Sequence, residues 1–105
     1  MIDYATNIDL LDIEVLEKAA ECLKTLAHPH RLRMIQILLL ESSTVGDLAT
    51  ACQIPSNVAS EHLRLLKDRG FLRSERQGRN VYYQIAEPGL ASIMQCVTMR
   101  YGSKQ

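Results

Sequence analysis

The stretch that most constrains the fold is residues 44–69, TVGDLATACQIPSNVASEHLRLLKDR. Thr44 and Asp47 stand three residues apart at the start of an apolar-periodic segment, which is typical of a capping box at a helix N-terminus. The sequence Gln-Ile-Pro at 53–55 breaks that helix near Cys52. Ser56 is expected to cap a second helix. The pattern therefore predicts two short helices joined by a tight turn, the arrangement called helix-turn-helix.

The second of these helices is predicted to have two different sides before it ends at Gly70, a left-handed terminator. At 3.6 residues per turn, one side is apolar and the other is polar and basic. The apolar side holds Val58, Ala59, Leu63, Leu65 and Leu66, and the polar side holds Asn57, Ser60, Glu61, Arg64 and Lys67. A helix seated by its apolar side would present Asn57 to adenine and Arg64 to guanine or phosphate in a DNA major groove. Glu61 would accept from cytosine or would repel misplaced phosphates. The alternative is an ordinary solvated helix face.

A β-hairpin is expected directly after this helix. FLRSER (71–76) and VYYQIA (81–86) are strand-prone and flank a glycine-containing loop. Arg79 would lie at the tip of this wing, within reach of a minor groove. Arg73 and Arg76 are expected on one strand face, touching phosphates. The alternative is that the three arginines only solubilise the surface.

The remaining sequence predicts helices over about 12–27, from Pro29 to about Leu40, and from Pro88 onward. The fold class is therefore mainly α with a small β-hairpin, a winged helix-turn-helix of order α-α-α-α-β-β-α. Residues 1–11 are predicted to form a flexible arm, and 12–105 one domain. The first and last helices carry apolar stripes wider than a small core needs, which predicts a homodimer through these helices. The expected dimer-interface residues are Leu16, Leu23, Leu90, Ile93, Met94, Val97 and Tyr101.

Charge is distributed unevenly along a chain of formal net charge zero. Residues 1–21 hold six acidic side chains and one lysine, whereas residues 64–79 hold six basic and two acidic ones. Because the local field governs phosphate attraction, the neutral total does not exclude nucleic acid as a partner. The acidic start lacks the layout of a secretion signal, and no apolar run approaches the ~20 residues of a membrane span. Three separated cysteines without a C-x-x-C pair fit a reducing compartment, so the expected location is the cytoplasm.

The chain resembles the ArsR/SmtB family of bacterial transcriptional repressors over roughly residues 15–101. The resemblance is carried by LKTLAHPHRLRMIQIL (23–38), SNVASEHLRLLKDRGFL (56–72) and RQGRNVYYQI (76–85). It implies a homodimer bound to a palindromic operator and released by an inducer, often a metal or a thiol-reactive species. It also implies that the groove is faced by Ser56, Asn57, Ser60 and Glu61, with Arg79 on the wing.

The sensing positions depart from the family pattern. Thr44 and Gly46 replace the two cysteines of the family's metal motif in the third helix. The last helix lacks the aspartate and histidines of the family's zinc site, and Gln36 and Gly102 stand where the persulfide-sensing branch has cysteines. No metal is therefore expected at the usual family positions.

Two cysteines remain as candidate effector residues, Cys22 in the first helix and Cys96 in the last. If these helices pack together, the thiols would bind a soft metal or arsenite, or oxidise to a disulfide. The alternative is that both are small buried apolar residues. Cys52 is interpreted as structural. His62 is interpreted as a packed, hydrogen-bonded residue, and the two histidines that flank Pro29 as local contacts.

The sequence leaves two other functions to weigh against a DNA-binding repressor. One is a winged-helix protein-interaction module without DNA binding, which the acidic N-terminal segment favours. The other is a thiol enzyme, which is disfavoured because no histidine neighbours a cysteine in sequence. The prediction is a regulator and not an enzyme, with double-stranded DNA as its partner, and a repressor without metal or thiol sensing remains an alternative.

Overall fold

A computed structural model describes residues 9–102 and shows five helices and three strands. In chain order the elements are α1 (Ile13–Lys24), α2 (Pro29–Leu38), β1 (Ser43–Thr44), α3 (Val45–Cys52), α4 (Ser56–Asp68), β2 (Leu72–Gln77), β3 (Asn80–Ile85) and α5 (Gly89–Tyr101). The predicted order of helices and hairpin strands is confirmed. Most of the predicted arm, residues 1–8, lies outside the described residues, as do residues 103–105.

The helix boundaries follow from local hydrogen bonding. The Thr44 hydroxyl accepts a bond from the Asp47 amide at 3.1 Å, and the Asp47 carboxylate accepts one from the Thr44 amide at 3.4 Å, so the predicted capping box is confirmed. Gly70 has φ +83°, the left-handed conformation expected after α4. Ser56, by contrast, is not the cap of α4. Pro55 occupies that position with an extended backbone and without a side-chain cap, and Ser56 is the first helical residue. The proline ring fixes φ at about −65°, a value that this position accepts.

The sheet has the antiparallel order β1-β3-β2. The hairpin pairs Leu72 with Ile85 and Gln77 with Asn80, and β1 adds Ser43 opposite Tyr83. The sequence did not predict β1, since two residues are too few to show a strand period.

The core is built around α2 and the apolar side of α4. Met34, Ile35, Leu48, Leu63, Leu66 and Leu90 are its largest fully buried side chains. In the single chain every residue of α1 is exposed or half-buried. No helix within residues 9–102 is long and apolar enough to cross a membrane.

Two of the expected dimer-interface residues belong to this core. Leu90 and Met94 are 1% and 7% exposed, and they pack against the subunit's own α2 and α4 residues in one apolar cluster. They are therefore corrected from interface to core. Ile93 and Val97 are half-buried at the edge of the same cluster, whereas Leu16, Leu23 and Tyr101 are exposed.

Candidate nucleic-acid interface

Helix α4 is held by one side and open on the other. Ala59, Leu63 and Leu66 are completely buried beneath it. The opposite side carries only exposed side chains, namely Ser56, Asn57, Ser60, Glu61, Arg64 and Lys67. The two predicted sides of the helix are therefore present. Within the described residues the polar side is open to solvent and accessible to a partner molecule.

Arg64 lies between two carboxylates on this open face. Its guanidinium donates to Glu61 one turn before it and to Asp68 one turn after it, the latter at 3.1 Å. The hydrogen bond from Arg64 lowers the pKa of the Glu61 carboxyl, and the same bond raises the pKa of the Arg64 guanidinium. Exposed ion pairs of this kind are worth about 0–1 kcal/mol. A phosphate can therefore displace the carboxylates from Arg64 at small cost.

The wing is attached to α4 by Lys67, whose Nζ donates to the Ser74 hydroxyl at 2.7 Å. This bond spans from the end of the helix to β2. The tip of the wing is the turn between β2 and β3, where Gly78 has φ +66° and the exposed Arg79 follows it. The position predicted for Arg79 is confirmed.

The other two wing arginines do not share a face, contrary to the prediction. Successive strand residues alternate sides, so an offset of three places Arg73 and Arg76 on opposite faces of β2. Arg73 is engaged within the sheet, where its Nε donates to the Gln84 side chain at 2.9 Å and its Nη1 to the Ile85 carbonyl at 3.2 Å. Both arginines are exposed, and their side chains point to opposite faces of the hairpin.

Beneath α4 lies a polar cluster that the sequence did not predict as a unit. His28, His30 and His62 have ring centroids 4.5, 5.3 and 6.0 Å apart. Arg31 donates from Nε to His62 Nδ1 at 3.1 Å and from Nη1 to the Thr25 carbonyl at 3.0 Å. His62 is packed and hydrogen-bonded, as expected. The sequence does not indicate that His62 meets the other two histidines, because α4 is distant in sequence from the turn that carries them.

Burial and neighbouring positive charge lower the pKa of two of these histidines. Desolvation lowers the pKa of His62, and nearby His28 and Arg31 lower it further. Desolvation also lowers the pKa of His28. The Nδ1 of His28 accepts from the amide of His30 at 3.1 Å and so caps α2.

The three thiols are free and differ in exposure. Cys22 is half-buried against the core and Cys96 is exposed on α5. Cys52 is half-buried with its Sγ 3.9 Å from the His30 carbonyl, and burial raises the pKa of its thiol. The structural interpretation of Cys52 fits this position.

Comparison with known proteins points to one family. A protein-family model described as a helix-turn-helix domain matches residues 26–75. The transcriptional repressor SmtB of Mycobacterium tuberculosis is 37% identical over 81 residues, which are 77% of this chain and 60% of that protein. The transcriptional repressor PagR of Bacillus anthracis is 34% identical over 80 residues, 75% of this chain and 80% of that protein. The chain belongs to the ArsR/SmtB family.

Family membership agrees with the fold. This ArsR/SmtB member superimposes with a TM-score of 0.74 on Mb0332 of Mycobacterium bovis, a homodimeric winged helix-turn-helix DNA-binding domain. The two are 28% identical, and the match covers 89% of this chain and 86% of that one. The chain spans about 60% of the length of the SmtB repressors it matches.

Proposed function

We propose that this ArsR/SmtB member is a sequence-specific transcriptional repressor that binds a palindromic operator as a homodimer in the cytoplasm. The observation that carries the proposal is the open polar face of α4, seated on the core by Ala59, Leu63 and Leu66 and continued by the wing. Asparagine, serine and arginine on a rigid helix are the donors and acceptors that read base edges. The relatives SmtB and PagR are named as repressors, which supports the same function here.

The homodimer would form through apolar side chains that are exposed on the surface of the single chain. Leu16 and Leu23 of α1 are 45% and 51% exposed, and Tyr101 of α5 is 69% exposed. Pairing the same patches about a twofold axis would bury all of them at once. It would also set two copies of α4 about one DNA turn, roughly 34 Å, apart. Mb0332 is described as homodimeric, which supports this assembly.

The effector is proposed to act on Cys22 and Cys96. Both lie on the helices that would form the dimer interface, both retain some exposure, and both are free thiols. A soft metal, arsenite or an oxidant would alter the packing of these helices and thereby the spacing of the α4 pair. Changing both cysteines to serine should abolish release from the operator by these agents while leaving operator affinity unchanged. Full release of the double variant by every such agent would contradict this part of the proposal.

DNA binding itself is tested with fluorescent duplexes selected from random sequence by the purified protein. The logarithm of the affinity should fall linearly with the logarithm of salt concentration, since lysine and arginine displace counterions from phosphate. Arg64→Ala and Arg79→Ala should each weaken operator binding by about tenfold, on the order of 1–3 kcal/mol for a good base or phosphate contact. Arg33→Ala is the matched control, because Arg33 is exposed on α2, outside α4, the wing and the proposed dimer helices, and within the described residues its side chain bonds Gln36.

The selection also separates the alternatives. Enrichment of one palindrome and protection of both half-sites would support the repressor. Equal affinity for every duplex, or no binding at any salt concentration, would overturn it in favour of a winged-helix module that recognises protein.

A further inference from the structure

All three histidines of the chain meet in one place. His28 and His30 flank Pro29 at the turn into α2, and His62 reaches them from the underside of α4. One ring nitrogen from each lies within 4.8 Å of the other two. His62 is buried while His28 and His30 are half-buried, so the cluster contacts solvent mainly through His28 and His30.

The spacing of the rings suits a shared ion. Three imidazoles bound to one tetrahedral ion, with metal–nitrogen bonds of about 2.0–2.1 Å, would have ring centroids about 5 Å apart. The centroid distances here are 4.5, 5.3 and 6.0 Å, and the planes are tilted by 50–73° and not stacked. Small rotations of half-exposed side chains would bring the nitrogens from 4.8 Å to the roughly 3.4 Å that such an ion requires.

We propose that His28, His30 and His62 form a binding site for a divalent transition-metal ion such as Zn²⁺, Co²⁺ or Ni²⁺. Imidazole is a ligand these ions prefer, whereas Mg²⁺ and Ca²⁺ prefer oxygen ligands, which this set does not supply. Three protein ligands leave the fourth position of a tetrahedral ion to water. The site involves neither the cysteines discussed above nor the polar face of α4.

The hydrogen bonds of His28 and His62 show which ring nitrogen carries the proton, and only a nitrogen without a proton can bind an ion. In both rings Nδ1 accepts a hydrogen bond, from the His30 amide and from Arg31 respectively, so Nε2 carries the proton in the metal-free state.

Binding through Nε2 would move that proton to Nδ1 within the same ring. For His62 the new Nδ1–H would displace the Arg31 Nε–H, which would keep its second contact through Nη1 to the Thr25 carbonyl. By the same proton shift, ligation of His28 through Nε2 would replace the bond that its Nδ1 accepts from the His30 amide. Metal binding therefore changes two identifiable hydrogen bonds, and the change at His62 is the spectroscopic marker of the site.

The experiment uses the untagged full chain, stripped with a chelator and titrated with Zn²⁺ by calorimetry and with Co²⁺ by electronic absorption. We expect one ion per subunit and a four-coordinate Co²⁺ spectrum without a thiolate charge-transfer band. Imidazole ¹⁵N spectra should show the proton of His62 moving from Nε2 to Nδ1. None of these readouts involves DNA, so failure here is distinct from failure of the proposed function.

Three variants keep the local hydrogen bonds while removing a ligand. His28→Asn retains a side-chain oxygen to cap α2, and His62→Gln retains an acceptor for Arg31. His30→Gln removes a ring that makes no hydrogen bond within the described residues. Each variant should weaken Zn²⁺ binding at least tenfold while circular dichroism confirms that it is folded. If His62→Gln fails to fold, the Zn²⁺ affinity of His30→Gln decides whether the histidines bind the ion.

The control is a Cys22→Ser, Cys52→Ser, Cys96→Ser triple variant, which should bind Zn²⁺ and Co²⁺ as the parent does. Unchanged affinity in the folded histidine variants would overturn the proposal. So would loss of binding in the cysteine variant, or no saturable binding of either ion by the parent.

Discussion

Arg31 on α2 donates from Nε to Nδ1 of His62 on α4 at 3.1 Å, and thereby connects the buried side of α4 to the start of α2. His62 is only 9% exposed, so water cannot replace the donor freely. The same arginine donates to the backbone carbonyl of Thr25, and Thr25 is also buried. Two polar groups of the interior therefore depend on a single side chain.

Arg31→Ala is expected to lower the free energy of unfolding by about 1–3 kcal/mol, the cost of leaving a buried acceptor without its donor. Urea denaturation in the presence of a chelator measures it. Arg33→Ala is the matched control, since Arg33 is exposed and, among residues 9–102, its side chain bonds only Gln36 on its own helix, so the effect should stay within about 0.5 kcal/mol. Equal effects of the two substitutions would show that the contact with His62 contributes nothing.

Glu61 should limit non-specific attraction to DNA, because it repels phosphate and occupies the Arg64 guanidinium. Glu61→Gln is therefore expected to raise affinity for random duplex several-fold and to steepen its salt dependence by up to about one unit of slope. Anisotropy titrations over a range of salt concentrations measure both. Glu41→Gln, at an exposed position outside α4, should change neither quantity. A fall in random-duplex affinity on removing Glu61 would contradict this role.

The features that the sequence predicted well are those with a local cause. The two sides of α4 follow from the 3.6-residue period, and the start of α3 follows from the spacing of Thr44 and Asp47. Gly70 ended α4 as expected because few other residues adopt a positive φ.

What the sequence could not show depends on tertiary context. An apolar stripe on α5 does not reveal which surface covers it, and Leu90 and Met94 turned out to face their own core. The meeting of His28 and His30 with His62 requires α2 and α4 to cross, which no spacing in the chain encodes.

Gly70→Ala should destabilise the protein by about 1–2 kcal/mol through backbone conformation alone. Gly70 has φ +83°, and an added Cβ would meet no atom within 4 Å, so steric contact adds nothing. Gly46→Ala provides the comparison. Gly46 is helical, and its added Cβ would meet only the Thr44 hydroxyl at 3.9 Å. That substitution should stabilise by about 0.5–1 kcal/mol, as alanine is the better helix former. Thermal unfolding of the two variants should therefore shift in opposite directions, and a shift of the same sign in both would contradict the argument.

The three thiols should react with iodoacetamide in an order set by exposure and thiolate content. Cys96 is exposed and should be modified first, whereas Cys52 is half-buried and should be modified last. Because burial raises the pKa of Cys52, its thiolate fraction at any given pH is lower than in the unfolded chain. Its alkylation should consequently reach half its maximal rate at a higher pH in the folded protein than in urea. Peptide mass spectrometry across a pH series measures each site separately. If Cys52 reacted as fast as Cys96 in the folded protein, or if its pH profile did not move on unfolding, its thiol would not be protected by packing between α2 and α3.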